Sequence, residues 1–195
     1  MPEPRRSLSR VGLAALALFA LGASDPKALI AGTFDPPRAA PELGLAGSDG
    51  APLALSRFRG KVVALAFGFT SCPEVCPTTL AVLAQARKKL GANASQLQVV
   101  YVTVDPERDD AARMKQYLSG FDPSFVGGTG TDAQLAAVRR EFGIQAEKHA
   151  SADGATFSHS SYIYLIDRGG KLRALMPYGH SPDDFAHDVG ILLAE

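Results

Sequence analysis

The sequence predicts an α/β domain with a central mixed sheet flanked by helices, and three observations carry that prediction. Residues 62–67 form an unbroken apolar run and residues 97–104 are rich in β-branched side chains, as expected of central strands covered on both faces. Between them Leu80, Leu83, Arg87 and Leu90 recur at helical spacing, with Arg87, Lys88 and Lys89 in the last turn and Gly91 as the stop. Residues 161–167 and 172–176 flank the turn Arg168-Gly169-Gly170-Lys171, which reads as an antiparallel hairpin.

From the N-terminus, Arg5, Arg6 and Arg10 precede an apolar stretch, residues 11–21, and the small residues Gly22, Ala23 and Ser24. That is the order of an export signal peptide, so residues 1–23 are expected to be removed after Gly22 or Ala23. The alternative is a retained N-terminal anchor, although eleven apolar residues are short for a hydrocarbon layer of roughly 30 Å. The Arg5-Arg6 pair also admits twin-arginine export. Residues 24–41 contain Pro26, Pro36, Pro37 and Pro41 without an apolar face, and read as a mobile tether dispensable for ligand binding. The compact domain is expected over residues 42–195.

Within it, Met114, Tyr117 and Leu118 share a helical face behind an Asp109 cap, and Leu135, Val138 and Phe142 share another between Thr131 and the terminator Gly143. Ser181, Pro182, Asp183 and Asp184 open a last helix that buries Phe185, Val189 and Leu192. Two parallel strands followed by a closing hairpin and helix is the thioredoxin-like arrangement, although alternation alone supports only the α/β class.

Composition narrows the function. The chain has 195 residues with 20 basic and 20 acidic side chains, which argues against a nucleic-acid partner. Loss of residues 1–22 would leave 17 basic against 19 acidic side chains, a mildly acidic exported protein. Apolar residues at 46% and charged ones at 21% are globular proportions, and two cysteines are too few for a disulfide scaffold.

Those two cysteines concentrate the chemistry. Cys72-Pro73-Glu74-Val75-Cys76-Pro77 lies directly after a buried strand and before a helix, where α/β folds present functional groups. Pro77 disfavours helical geometry at Cys76, which is expected at the helix N-cap with its sulfur near unpaired N–H groups, a site that stabilises thiolate. A purely stabilising disulfide is a poor explanation, because only three residues separate the pair and the chain-entropy gain shrinks with the loop. Thiol redox chemistry and metal binding stay open; redox pairs of this fold usually stand two residues apart, and the wider loop could turn both sulfurs towards one ion. Two thiolates suit soft Cu(I), whereas a closed zinc site normally takes four ligands. Of His149, His159, His180 and His187 as a further ligand, the last two read as surface or packing residues. His149 lies in a polar stretch, and His159, just before the strand at 161–166, could stand above the sheet rim.

The segment Phe67-Gly68-Phe69-Thr70-Ser71-Cys72-Pro73-Glu74-Val75-Cys76-Pro77, with Leu80 following, resembles the signature of the Sco/SenC family, exported or membrane-attached copper proteins of thioredoxin-like fold. Val104-Asp105-Pro106-Glu107-Arg108-Asp109, Phe121-Asp122-Pro123, residues 159–167 and Gly60-Lys61 resemble further family blocks in the same order, so the likeness spans residues 42–195. The resemblance implies that Cys72, Cys76 and His159 bind copper, as Cu(I) with Cu(II) also held. It implies delivery of copper to the dinuclear CuA site of cytochrome c oxidase, or reduction of that site's cysteines. The implied partners are the oxidase subunit bearing that site, a copper donor protein and an exported thiol reductant; the implied location is the periplasm or the outer face of the inner membrane. Family members often carry Asp where this chain has Ser158 and Glu74, changes that remove no ligand. Asp105 is placed either near the copper loop or in a capping Asp-Pro turn. The reading from a different class is a thiol-disulfide oxidoreductase that cycles Cys72 and Cys76 without copper; nothing marks a peroxide-activating pair.

Overall fold

A computed structural model describes residues 28–151 and 154–195, so the expected signal segment lies outside the described residues. In chain order the strands are β1 (Gly32–Ala39), β2 (Leu45–Gly47), β3 (Pro52–Leu53), β4 (Val62–Gly68), β5 (Leu97–Thr103), β6 (Val126–Thr129), β7 (Ala146–Ser151), β8 (Gly154–His159), β9 (Tyr162–Ile166) and β10 (Lys171–Pro177). The helices are α1 (Val75–Lys89), α2 (Ala111–Ser119), α3 (Asp132–Phe142) and α4 (Pro182–Ala194).

Eight strands form one mixed sheet in the order β1-β10-β9-β4-β5-β6-β2-β3. β4 and β5 are its parallel centre, paired from Val62↔Leu97 to Gly68↔Thr103, and every residue of both is buried. This is why both read as apolar runs rather than alternating patterns. The hairpin of β9 and β10 docks antiparallel on β4, with Ala66 opposite Ile163. α1 packs on α4, and α2 packs on β6, whose Gly127 admits Met114 and Leu118 where a Cβ would collide. Phe142 at the end of α3 meets Phe67 and Tyr164 with ring centroids 5.7 and 5.2 Å apart. The expected caps hold at α3, where Thr131 and Gln134 form a reciprocal box and Gly143 takes φ 69°, and at α4, where Ser181 and Asp184 do the same with Pro182 in the first turn.

Two expectations are corrected. Within the expected tether of residues 24–41, of which 24–27 lie outside the described residues, β1 pairs with β10 from Gly32↔Leu175 to Ala39↔Lys171, so the sheet begins before residue 42. Prolines are compatible with this because β1 is an edge strand whose register slips between Thr33 and Arg38, the stretch that contains Pro36 and Pro37. The start is held by Asp188 of α4, fully buried, which accepts the Ile30 and Ala31 N–H groups at 2.8 and 2.9 Å. The cap of α2 is Asp110, not Asp109: the Asp110 carboxylate accepts the Arg113 N–H, while Asp109 is turned into the core.

Candidate functional site

The site forms where the central strand β4 ends. Gly68 is followed by the buried Phe69 and Thr70 and then by the cysteine loop that enters α1. Asp109 fastens this loop: its buried carboxylate accepts the Thr70 N–H at 2.9 Å, the Thr70 hydroxyl at 2.5 Å and the Thr103 hydroxyl at 2.6 Å. Arg113 donates to the same Thr70 oxygen at 2.7 Å. A carboxylate satisfied by three donors is stable in the interior and holds the loop's first residue rigidly.

Cys72 and Cys76 are both free. Glu74, rather than Cys76, is the N-cap of α1, and Cys76 belongs to its first turn. The sulfur that receives a helix N–H is that of half-buried Cys72, which accepts from Cys76 N at 3.4 Å. Cys76 is 2% exposed, and burial, reinforced by the neighbouring Cys72 sulfur, pushes its thiol up to about 12. The expected thiolate-stabilising environment is therefore absent at Cys76: the helix N–H serves the other sulfur, and desolvation dominates.

His159 ends β8, the strand that pairs with β7 as a separate two-stranded ribbon, Ala146 lying opposite His159. This ribbon brings the imidazole over the cysteine loop, with Nε2 3.8 Å from the Cys76 sulfur. Nδ1 lies 2.9 Å from the Ser160 carbonyl oxygen, which can only accept, so Nδ1 carries the proton and Nε2 presents its lone pair to the sulfur. The ring also stands edge-on to Phe69 at 6.2 Å, and Phe69 packs on Phe157 of the ribbon.

The other candidates fall outside. His149 faces Ser158 across the ribbon at 2.7 Å, His180 pairs with Asp184, and His187 with Asp188. Asp105 is buried and forms an ion pair with Arg108, whose guanidinium lies 5.9 Å above Phe69; it supports the wall of the site without reaching the sulfurs.

A cavity of about 10 Å³ lies between Cys76, His159, Tyr101 and Tyr162, at the lower edge of what a single water fills. Among the described residues no three His, Cys, Asp or Glu side chains already stand as a metal-holding group. The donor set nevertheless fits copper: one sulfur and one oriented imidazole nitrogen face each other, and the second sulfur stands on the adjoining turn. Sequence reasoning quoted Gly68 only as part of a signature and assigned Tyr101 no role. A Cβ on Gly68 would lie 2.0 Å from the Tyr101 hydroxyl and 2.7 Å from the Cys76 sulfur, so only glycine fits there. The available signal was an aromatic hydroxyl among the valines of β5.

The SCO1/SenC family model matches residues 33–194. A SCO2-like protein, RP587, from Rickettsia prowazekii (strain Madrid E) is 33% identical over 168 residues, covering 83% of this chain and 82% of that protein. The match to the SCO2-like protein RC0895 of Rickettsia conorii, 36% identical, spans 58% of that protein's length. Among solved structures, Bradyrhizobium japonicum ScoI with copper bound is 33% identical, with a TM-score of 0.72 over 78% of this chain and 98% of that one. The fold is shared at 22% identity and a TM-score of 0.65 with BsSco, a member of the Sco family of cytochrome c oxidase assembly proteins, over 80% of this chain and 94% of that one. With the parallel strand pair, the cysteine loop and the ribbon histidine in the places described, this chain belongs to the SCO1/SenC family.

Proposed function

We propose that the protein holds one copper ion through Cys72, Cys76 and His159 outside the cytoplasm and delivers it to the dinuclear copper site of cytochrome c oxidase. Its family is one of copper-binding proteins of oxidase assembly. The observation that carries the reading is the approach of His159 Nε2 to Cys76 across 83 residues of sequence, with the opposite ring nitrogen fixed by a carbonyl. Two thiolates favour Cu(I), and the imidazole lets the same set hold Cu(II). Cys76 and His159 form the inner wall, and half-buried Cys72 is the sulfur on the side open to a donor or acceptor protein. Rotation of Cys72 towards them completes the set.

Delivery suits this geometry better than thiol exchange. The oriented imidazole nitrogen beside the Cys76 sulfur is a metal donor, and exchange between the two cysteines makes no use of it. Among the described residues no helix is long and apolar enough to cross a membrane.

The test is Cu(I) titration of the reduced protein against a competing chelator, for the wild type and for His159→Ala. The wild type is expected to take one equivalent, and the variant to bind at least tenfold more weakly while its thiols still cycle with a dithiol reagent. Equal copper retention in both would remove His159 as a ligand. Copper-independent reduction of an oxidised oxidase-site peptide, unaffected by the substitution, would favour the oxidoreductase reading.

A further inference from the structure

Tyr101 sits in the middle of β5, in register with Ala66 of β4, and is 1% exposed. Its hydroxyl is buried and makes no hydrogen bond among the described residues. An orphaned buried hydroxyl is normally selected against, because it forfeits hydration without compensation. Its surroundings supply a reason for its presence. The hydroxyl and the Cys76 sulfur crowd the same point above Gly68, and both line the small cavity beneath His159. The Cys76 sulfur is the polar side-chain atom that shares this spot, and sulfur in a thiol is only a weak acceptor. A sulfur that has given up its proton to bind a cation is a much stronger acceptor, and hydrogen bonds to ionised partners are roughly twice as strong.

We propose that Tyr101 is a positioning residue for copper, donating its hydroxyl proton as a hydrogen bond to the Cys76 sulfur in the loaded protein and withdrawing electron density from it. This rests on the reading of Cys76 as a copper ligand. The hydroxyl lacks a partner in the metal-free protein and gains one in the loaded protein, so it favours loading. A hydrogen bond to a copper-bound thiolate also lowers its donor strength, which favours Cu(I) over Cu(II) at this site. Tyr117, at 6.5 Å ring to ring from Tyr101, has a second buried hydroxyl without a partner and does not line the cavity, which makes it an internal control.

The experiment compares wild type, Tyr101→Phe, Tyr117→Phe and Cys76→Ser as full chains. Three quantities are read: Cu(I) binding against a competing chelator, the energy of the sulfur-to-Cu(II) charge-transfer band, and the melting temperature of the apo protein. For Tyr101→Phe we expect about tenfold weaker Cu(I) binding, a red-shifted band as the sulfur becomes the stronger donor, and an unchanged or higher apo melting temperature. Tyr117→Phe is expected to leave copper binding and the band as in wild type. Unchanged affinity and band energy in Tyr101→Phe would overturn the inference. So would weakened binding with an unmoved band and a lowered apo melting temperature, the signature of a packing role alone. Copper retention by Cys76→Ser would instead overturn the ligand assignment on which the inference stands, whereas loss there combined with a silent Tyr101→Phe would overturn only the inference.

Discussion

Cys76 meets neutral pH as a thiol, because burial removes the water that would solvate a thiolate and the adjacent Cys72 sulfur adds to the cost. Copper binding through Cys76, as proposed, would have to displace that proton. Apparent Cu(I) affinity is expected to rise about tenfold per pH unit for each proton released, between pH 6 and 8, when measured against a chelator corrected for its own titration. A flat profile would contradict a buried thiol ligand. The same shift acts on stability. The folded value, about 12, lies above the ordinary value of 9.0, so the contribution is full below pH 9 and is lost as pH rises towards 12. Apo stability should fall between pH 9 and 10, before the tyrosines titrate, and Cys76→Ser should flatten that segment of the profile. Substitution of either Cys72 or Cys76 by Ser is expected to abolish stable Cu(I) binding, since one thiolate and one imidazole lack the paired soft donors; retention of one equivalent at wild-type affinity would refute the shared site.

Among the elements, β1 and the loop before α1 carry the strongest consequences. Asp188 ties α4 to the entry of β1 through the Ile30 and Ala31 N–H groups. Asp188→Ala leaves both donors buried or half-buried without an acceptor, and urea unfolding should show a loss of about 3 kcal/mol with an unchanged slope. A truncation that starts at Glu42 removes β1 altogether and exposes the edge of β10, so the shortened chain is expected to melt well below the full one. Asp109 does the equivalent work at the site. Asp109→Ala frees Thr70 and Thr103, and is expected to weaken Cu(I) binding several-fold as well as lower stability, because the loop that presents Cys72 loses its anchor. Undiminished copper affinity in a folded variant would show that the loop is held by other contacts.

For the whole molecule, copper loading and folding are linked: an ion that binds only the folded chain raises its melting temperature by mass action. Oxidation opposes this, because a Cys72–Cys76 disulfide would remove both sulfur donors at once. In an oxidising compartment we expect the apo protein to depend on a separate thiol reductant and bound copper to protect the pair. Apo and copper-loaded samples exposed to the same oxidant should differ in free thiols, the loaded form keeping both. Oxidised protein should bind Cu(I) only after reduction, and full binding by a disulfide-containing sample would eliminate these sulfurs as ligands.

The α/β class, the central strand pair, the closing hairpin and the caps at Thr131 and Ser181 were legible in the sequence, because each depends on residues close together in the chain: apolar runs, helical spacing, a Gly-Gly turn, a reciprocal cap. The cysteine loop was legible for the same reason, and the resemblance to a family singled out His159. Reading by local pattern alone could not seat β1, whose prolines signal a linker unless one knows that β10 offers it an edge. Nor could it find the Asp109 anchor, the protonated state of Cys76 or the hydroxyl of Tyr101 under the sulfur. Each of these is set by burial and by partners that are distant in sequence, such as Thr70 and Asp109 or Cys76 and His159, which come together only when β5 and the β7–β8 ribbon close around the end of β4. Local sequence determined what the elements are; desolvation and long-range contact decided what their side chains can do.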